Sequence, residues 1–382
     1  MPAFSFRHVK DLYPSFWAKA VEMAYEMQNH IKSRPENEAV IKVRDWATRV
    51  TLDIIGLSGM GQDFDAMRNP GNILNQQYRR IFPEEENNIV RVSKAIVMHF
   101  DMYFLALLPL PHNRAVHQAA QYIRSVAKQL ILRKKKGMEK GEDRMVDILS
   151  VALASGGFTE EGLADQMMTF LAAGHETVAT AFQWAAYALC KYPAVQSRLR
   201  EEIRSNLPPA FGKNTFAFAP RPEAIDRLAY LQAFCSEVLR YWPPISSTFR
   251  QAVRDTTILD EFIPQGTHII VSPEATNRSS WLWGPDARLF NPDRWLNNDG
   301  KSANNTGGAK NTYANMTFLH GPRSCIGQGF ARAELACLVA VLVGRFEMEF
   351  KDGANVREET IVTATAAPRD GVVVRLNVLD GW

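Results

Sequence analysis

The chain has 382 residues, 44 Lys+Arg against 41 Asp+Glu for a formal charge of +3, and 46% hydrophobic content, which suits a packed core and excludes a disordered tail. So even a balance argues against a dedicated nucleic-acid binder, whose surface would be strongly basic. Four scattered cysteines without CxxC spacing exclude a disulfide framework and a structural zinc site, and no apolar run reaches the roughly 20 residues of a membrane-spanning helix.

The first half reads as helix after helix. Phe16, Ala20, Met23, Ala24 and Met27 form one stripe over 15–33. Val43, Trp46, Ala47, Val50 and Ile54 mark a second helix over about 43–58, ending in the glycine-rich Gly59-Met60-Gly61. Further helical patterns cover about 72–81, 85–106 and 113–136. The basic run Arg133-Lys134-Lys135-Lys136 suits a solvated helix C-terminus. The apolar stretch 103–111 is either a buried helix end and turn or a patch resting on a membrane surface. The longest helix starts near Thr159 and runs to Tyr192, about 50 Å at 1.5 Å per residue. Being apolar on nearly all sides, it should cross the middle of the molecule. Pro193 opens another helix, with Arg198, Arg200, Glu201 and Glu202 on a wet face.

After about residue 245 short strands enter, at 256–259, 268–271 and 372–376. A polar low-complexity loop fills 297–315, and an apolar helix covers about 328–344. The expected class is mainly α with small β-sheets, in a single domain over 1–382.

Phe318-Leu319-His320-Gly321-Pro322-Arg323-Ser324-Cys325-Ile326-Gly327 is the most informative stretch. A cysteine in a glycine-flanked loop before a helix is a good thiolate, because helix N-terminal amides and a nearby arginine favour the anion. A lone cysteine is more often an inert buried hydrophobe, but these fixed offsets are rare by chance. Upstream, Ala173-Gly174-His175-Glu176-Thr177 places an acid and an alcohol mid-helix; a lone threonine there normally bonds back to an upstream carbonyl. Glu237-Val238-Leu239-Arg240 puts an acid and an arginine one turn apart, at face value an exposed ion pair worth a few tenths of a kcal/mol.

Together these segments resemble the cytochrome P450 family, the haem-thiolate monooxygenases. The helix Thr51-Leu52-Asp53-Ile54-Ile55-Gly56, with a fungal flavour, and Trp283-Gly284-Pro285-Asp286-Ala287 share the resemblance, and nearly the whole chain follows it in order. It implies haem b bound through the Cys325 thiolate, with Phe318 packing below the ring and Arg323 and Arg250 meeting its propionates. Ala173 and Gly174 would cross the distal face, Thr177 would hold the oxygen-derived group, and Glu176 would feed it protons. Glu237, Arg240 and Arg294, the last in Asn291-Pro292-Asp293-Arg294-Trp295, would form a structural cluster locking the cysteine loop. Phe170, Ile245, Ser246, Ser247 and Thr248 would face substrate, with Ala364 and Thr365 late in the chain. The activity implied is insertion of one oxygen atom from dioxygen into an apolar small molecule. Electrons would come from NADPH through a flavoprotein reductase docking on the cysteine side. A second reading is a truncated, non-catalytic remnant, and a third keeps the haem but rearranges peroxides. The resemblance also implies a P450 fold lacking the N-terminal anchor, helices and strands that family members usually carry. An endoplasmic-reticulum membrane location is the family expectation, with a cytoplasmic or peripheral one for the chain as written.

Overall fold

A computed structural model describes residues 2–33, 39–81, 111–141, 147–211, 219–353 and 356–382. The expected helix 85–106 and all but the last residue of the 103–111 patch lie outside the described residues.

Helix α1 spans Phe6–Lys32 and starts earlier than its apolar stripe suggests, capped by Ser5, whose side chain accepts from the His8 amide. Pro14 sits inside it without breaking it. Leu12, Tyr13, Phe16 and Trp17 around it are all buried, and that packing outweighs the roughly 3 kcal/mol a mid-helix proline costs. Helix α2, Val43–Ile54, passes into a π-helical turn over Ile55–Gly59 rather than staying α to residue 58. Widened turns of this kind re-aim side chains. Here Gly56 lies so close to Phe64 and the Gln62 carbonyl that a Cβ would come within 2.5 Å of the ring.

Helices α3, Ile73–Ile81, and α4, Pro111–Glu139, follow. The basic run 133–136 does sit in the last turns of a helix, with Lys136 in the final one, but it is not simply solvated. Helix α4 continues three residues past Lys136, and the run docks on neighbours: Lys134 on Asp147 at 2.5 Å, Lys135 on Glu160 and Arg133 on the Gln62 side chain. A short helix α5, Ile148–Ala154, is capped by Asp147.

The long helix α6 is Glu160–Lys191, with Thr159 accepting from the Gly162 amide at its start. Every residue from Val178 to Cys190 is buried, so its second half does cross the core. Pro193–Asn206 forms α7, but its face is not uniformly wet. Arg200 reaches the Phe346 carbonyl, and Glu202 accepts from the Tyr230 and Leu231 amides, capping the helix two elements on. Two helices follow, α8 at Pro222–Asp226 and α9 at Ala229–Tyr241.

Strands come late and pair antiparallel. A three-stranded sheet joins β1 (Val40–Lys42), β9 (Val373–Val378) and β6 (Phe346–Phe350). Two-stranded pairs join β2 (Thr248–Gln251) to β5 (His268–Val271), β3 (Thr256–Ile258) to β4 (Glu261–Ile263), and β7 (Thr360–Val362) to β8 (Ala366–Pro368). Short helices α10 (Pro273–Asn277) and α11 (Ser280–Trp283) precede the polar loop. That loop is tied by Asn304, whose amide donates to the Arg294 and Leu296 carbonyls. Finally α12, Gln328–Arg345, packs along α1, with Phe16 edge-on to Phe330. Among the described residues no helix is long and apolar enough to cross a membrane.

Candidate active site

Leu319 and Gly321, at φ of 58° and 75°, turn the chain left-handed after Phe318, and the Cys325 amide then donates to the Phe318 carbonyl at 2.8 Å. That closes a tight loop just before α12. Cys325 is exposed, whereas Cys190, Cys235 and Cys337 are buried. It opens on a cleft lined mainly by apolar residues. Burial pushes its thiol pKa up, partly offset by a hydrogen bond from the Gly327 amide. A metal would override that balance, since a coordinating thiol is deprotonated outright.

The same cleft is lined by Thr177, Ile245, Thr248, Phe318 and Arg323, so the fold brings residues from α6, the approach to β2 and the cysteine loop to one place. Other predicted residues stand elsewhere. The Thr177 hydroxyl donates back to the Ala173 carbonyl at 2.8 Å even as the residue faces the cleft. Glu176 is buried on the α2 side, 3.9 Å from Arg44. Gly174 faces Ile55: a Cβ there would come within 2.8 Å of the isoleucine, so the glycine is required for the packing of α6 on the π-turn. Ala173 is exposed. Phe170 packs edge-on against Phe4. Arg250 is exposed on β2 and bonds its own strand, at the Thr248 hydroxyl and the Phe249 carbonyl. Ser246 offers its carbonyl to Ser272, and Ser247 is half-buried beside it. Ala364 is exposed. Thr365 is buried, shares a 2.8 Å hydrogen bond with Thr180 and does not line the cleft.

Glu237 and Arg240 are not an exposed pair: both are fully buried and joined by two 2.7 Å bonds. Arg240 also donates to the Asn277, Ala287 and Leu289 carbonyls. Arg294 reaches Glu237 at 3.3 Å and Asp286 at 2.8 Å, while the Trp295 indole and the Asn291 amide also donate to Glu237. Such saturation is what makes a buried ion pair tolerable.

Sequence reasoning missed Asn277. Its amide donates to the Arg240 carbonyl and the Thr317 hydroxyl, and its oxygen accepts from the Met316 amide at 2.7 Å. Thr317 in turn donates to the Leu239 carbonyl. Asn277 thereby ties the buried cluster to the segment that enters the cysteine loop. A single polar residue at the end of a five-residue helix leaves no periodic signal.

Comparison with known proteins agrees with this architecture. The cytochrome P450 family model matches residues 1–370. Cytochrome P450 monooxygenase sphH of Aspergillus fumigatus is 47% identical, across the whole of this chain and 69% of its own length. Cytochrome P450 monooxygenase ALT8 of Alternaria alternata is 40% identical over the whole chain and 72% of its own length. Cytochrome P450 monooxygenase FUM15 of Gibberella moniliformis is 44% identical over 96% of this chain and 68% of its own. The chain belongs to the cytochrome P450 family, an oxidoreductase family whose matched fungal members are named monooxygenases.

Proposed function

We propose that this chain binds haem b through Cys325 and inserts one atom of dioxygen into an apolar small molecule. The observation that carries the reading is the cleft itself: the one exposed cysteine and the α6 threonine line a single apolar cavity. The residues present suit a flat, largely apolar ring. Thiolate is the donor this chemistry uses, and Arg323 is a cation at the rim for a carboxylate edge. Haem supplies the one-electron and dioxygen chemistry when bound.

The chain's own residues then do the rest. The Phe318 carbonyl fixes the Cys325 backbone, and the Gly327 amide and the start of α12 favour negative charge on sulfur. Thr177 presents a hydroxyl to the cleft from a helix that cannot shift without unpacking Ile55 from Gly174. It would hold a proton at that hydroxyl; Glu176, on the same turn but buried toward Arg44, would feed it only by turning to the cleft. Val178, Ala181, Pro244 and Ile245 exclude water and select an apolar substrate. Arg250 would meet a propionate only by leaving its strand bonds. NADPH would serve through a flavoprotein reductase, and the family reading carries an endoplasmic-reticulum location. The intact Cys325 and Thr177, with a family match over 1–370, weigh against a non-catalytic remnant.

The test is spectroscopic. Haem-supplemented protein, reduced under carbon monoxide, should show the strongly red-shifted Soret band of haem-thiolate proteins. Cys325→Ser should abolish it, while Cys190→Ser and Cys337→Ser leave it. A band that survives in Cys325→Ser refutes the assignment.

A further inference from the structure

Ile55 opens the π-helical turn Ile55–Gly59 at the end of α2 and is only 2% exposed. Two glycines close on its side chain. A Cβ on Gly174 of α6 would stand 2.8 Å from the Ile55 Cδ1 and 2.9 Å from its Cγ1. A Cβ on Gly59, within the turn itself, would stand 3.2 Å from the same Cδ1. The isoleucine thus fills the space between its own turn and α6 without slack on either side. The turn is also held from behind. The Gln62 amide donates to the Gly56 carbonyl and the Gly61 amide to the Leu57 carbonyl, both at 3.0 Å. Asp53, just before the turn, accepts from the Ala66 and Met67 amides and so ties the returning loop to α2.

Gly174 stands one helical turn before Thr177, which lines the cleft. Over so short a stretch a helix moves as one piece, so whatever stops α6 at Gly174 also fixes Thr177. Placement is critical there, because a displacement of about 1 Å can cost about 10²-fold in rate.

We propose that Ile55 is a positioning residue: carried on the π-turn, it is the stop against which α6 rests at Gly174, and it thereby fixes where the Thr177 hydroxyl stands in the cleft. This inference rests on the haem-thiolate reading above. The rival is plain core packing, in which changes at residue 55 alter stability but leave Thr177 in place. The contact distances separate the two by a size swap. Ile55→Ala removes Cγ1 and Cδ1 and keeps Cβ, which lies 3.7 Å from a Cβ on Gly174, an ordinary contact. Gly174→Ala therefore forces α6 off the turn in the wild-type chain, but fits in the Ile55→Ala chain. Ile55→Val keeps Cγ1, the atom at 2.9 Å, and should relieve the collision only in part.

The experiment takes haem-supplemented wild type, Gly174→Ala, Ile55→Ala, both changes together, and Gly174→Ala with Ile55→Val. Each is reduced under carbon monoxide. The optical band reports the thiolate, and the infrared stretch of the bound carbon monoxide reports the field of the nearest hydroxyl. Thr177→Ala marks the stretch without that hydroxyl. Gly174→Ala should shift the stretch most of the way to the Thr177→Ala position, and the added Ile55→Ala should return it to the wild-type position. Ile55→Val should return it partway. Ile55→Ala alone, which removes the stop, should broaden the stretch and covers the case that Gly174→Ala fails to fold. A wild-type stretch in both Gly174→Ala and Ile55→Ala overturns the inference while sparing the haem-thiolate reading. So does a shift in Gly174→Ala that the added Ile55→Ala leaves unrelieved, or a Thr177→Ala stretch equal to wild type. A protein that takes up no haem, or a Cys325→Ser variant that keeps the thiolate band, overturns both.

Discussion

His175 shows how one side chain on α6 differs from its neighbours in what it can do. It is fully enclosed, its Nδ1–H donates to the Leu171 carbonyl at 3.0 Å, and Tyr78 packs edge-on at 4.7 Å. Burial drops its pKa from 6.5 to about 4, so it is neutral beside Glu176 and is no proton source near neutral pH. Because the folded pKa lies below the unfolded one, the unfolded chain binds the extra proton between those values, and stability falls as pH drops from about 6.5 to 4. Urea midpoints for wild type and His175→Gln should diverge over that window, with wild type losing up to about 3 kcal/mol more. Parallel curves would show that the imidazole is protonated in the fold. Thr177 next door faces the cleft, and its alanine variant should keep the carbon-monoxide spectrum yet return less product per NADPH consumed. A loss of roughly 10²-fold in the chemical step is the size expected for a positioned proton relay. Coupling equal to wild type would leave its bond to the Ala173 carbonyl as its whole role.

Between elements, the decisive join is polar. Asn277 ends α10 and satisfies groups on α9 and on the segment entering the cysteine loop, so three elements meet on one amide. Asn277→Ala takes a partner from the Arg240 carbonyl and strands the Met316 amide, at about 1–3 kcal/mol each, while the Thr317 hydroxyl keeps the Leu239 carbonyl. The expected result is a lowered unfolding midpoint together with a carbon-monoxide band that decays faster toward the non-thiolate form. Arg240→Met is the harsher change: it removes both 2.7 Å bonds to the buried Glu237, leaves Arg294 at 3.3 Å as its cation and frees three carbonyls, a loss of about 3–5 kcal/mol. If Asn277→Ala lowers stability but the thiolate band persists unchanged, the tie is structural only. These joins also show what the sequence can and cannot convey. The 3.6-residue period places α1, α2, α6 and α12 because burial of one face is written locally. Strands β1 and β6 escape because each exists only by pairing with β9, as in Val40↔Arg375 and Phe346↔Val378. The cysteine loop is legible as a motif, but its opening onto the cleft beside α6 and the turn of Glu176 toward Arg44 depend on packing that no spacing records.

Across the whole molecule, the start and finish of the described chain are packed into one core. Helix α1 lies along α12, and Trp382 folds back to fill the space beside both. Its ring meets Trp17 edge-on at 6.3 Å and is only 3% exposed. A Cβ on Gly344 would stand 2.3 Å from that ring, so the helix needs its glycine there for the indole to seat. Arg345 ties the arrangement down, donating to the Trp382 and Leu379 carbonyls and to the Gln28 side chain. Arg204 adds bonds to the Gly344 and Asp380 carbonyls. Removing the indole leaves a cavity walled by Trp17 and α12, and Trp382→Ala should cost about 3–5 kcal/mol. The indole N–H has no partner, so the loss is packing alone. Gly344→Ala should also destabilise, because its methyl group collides with the ring. The two changes share one volume, so they should not add. In the double variant the methyl group enters the space the indole vacated, and the pair should be less damaging than the sum of the singles by about 1 kcal/mol or more. Chemical denaturation of the four proteins measures this directly. Strict additivity would mean that Trp382 does not occupy the groove at Gly344 in solution.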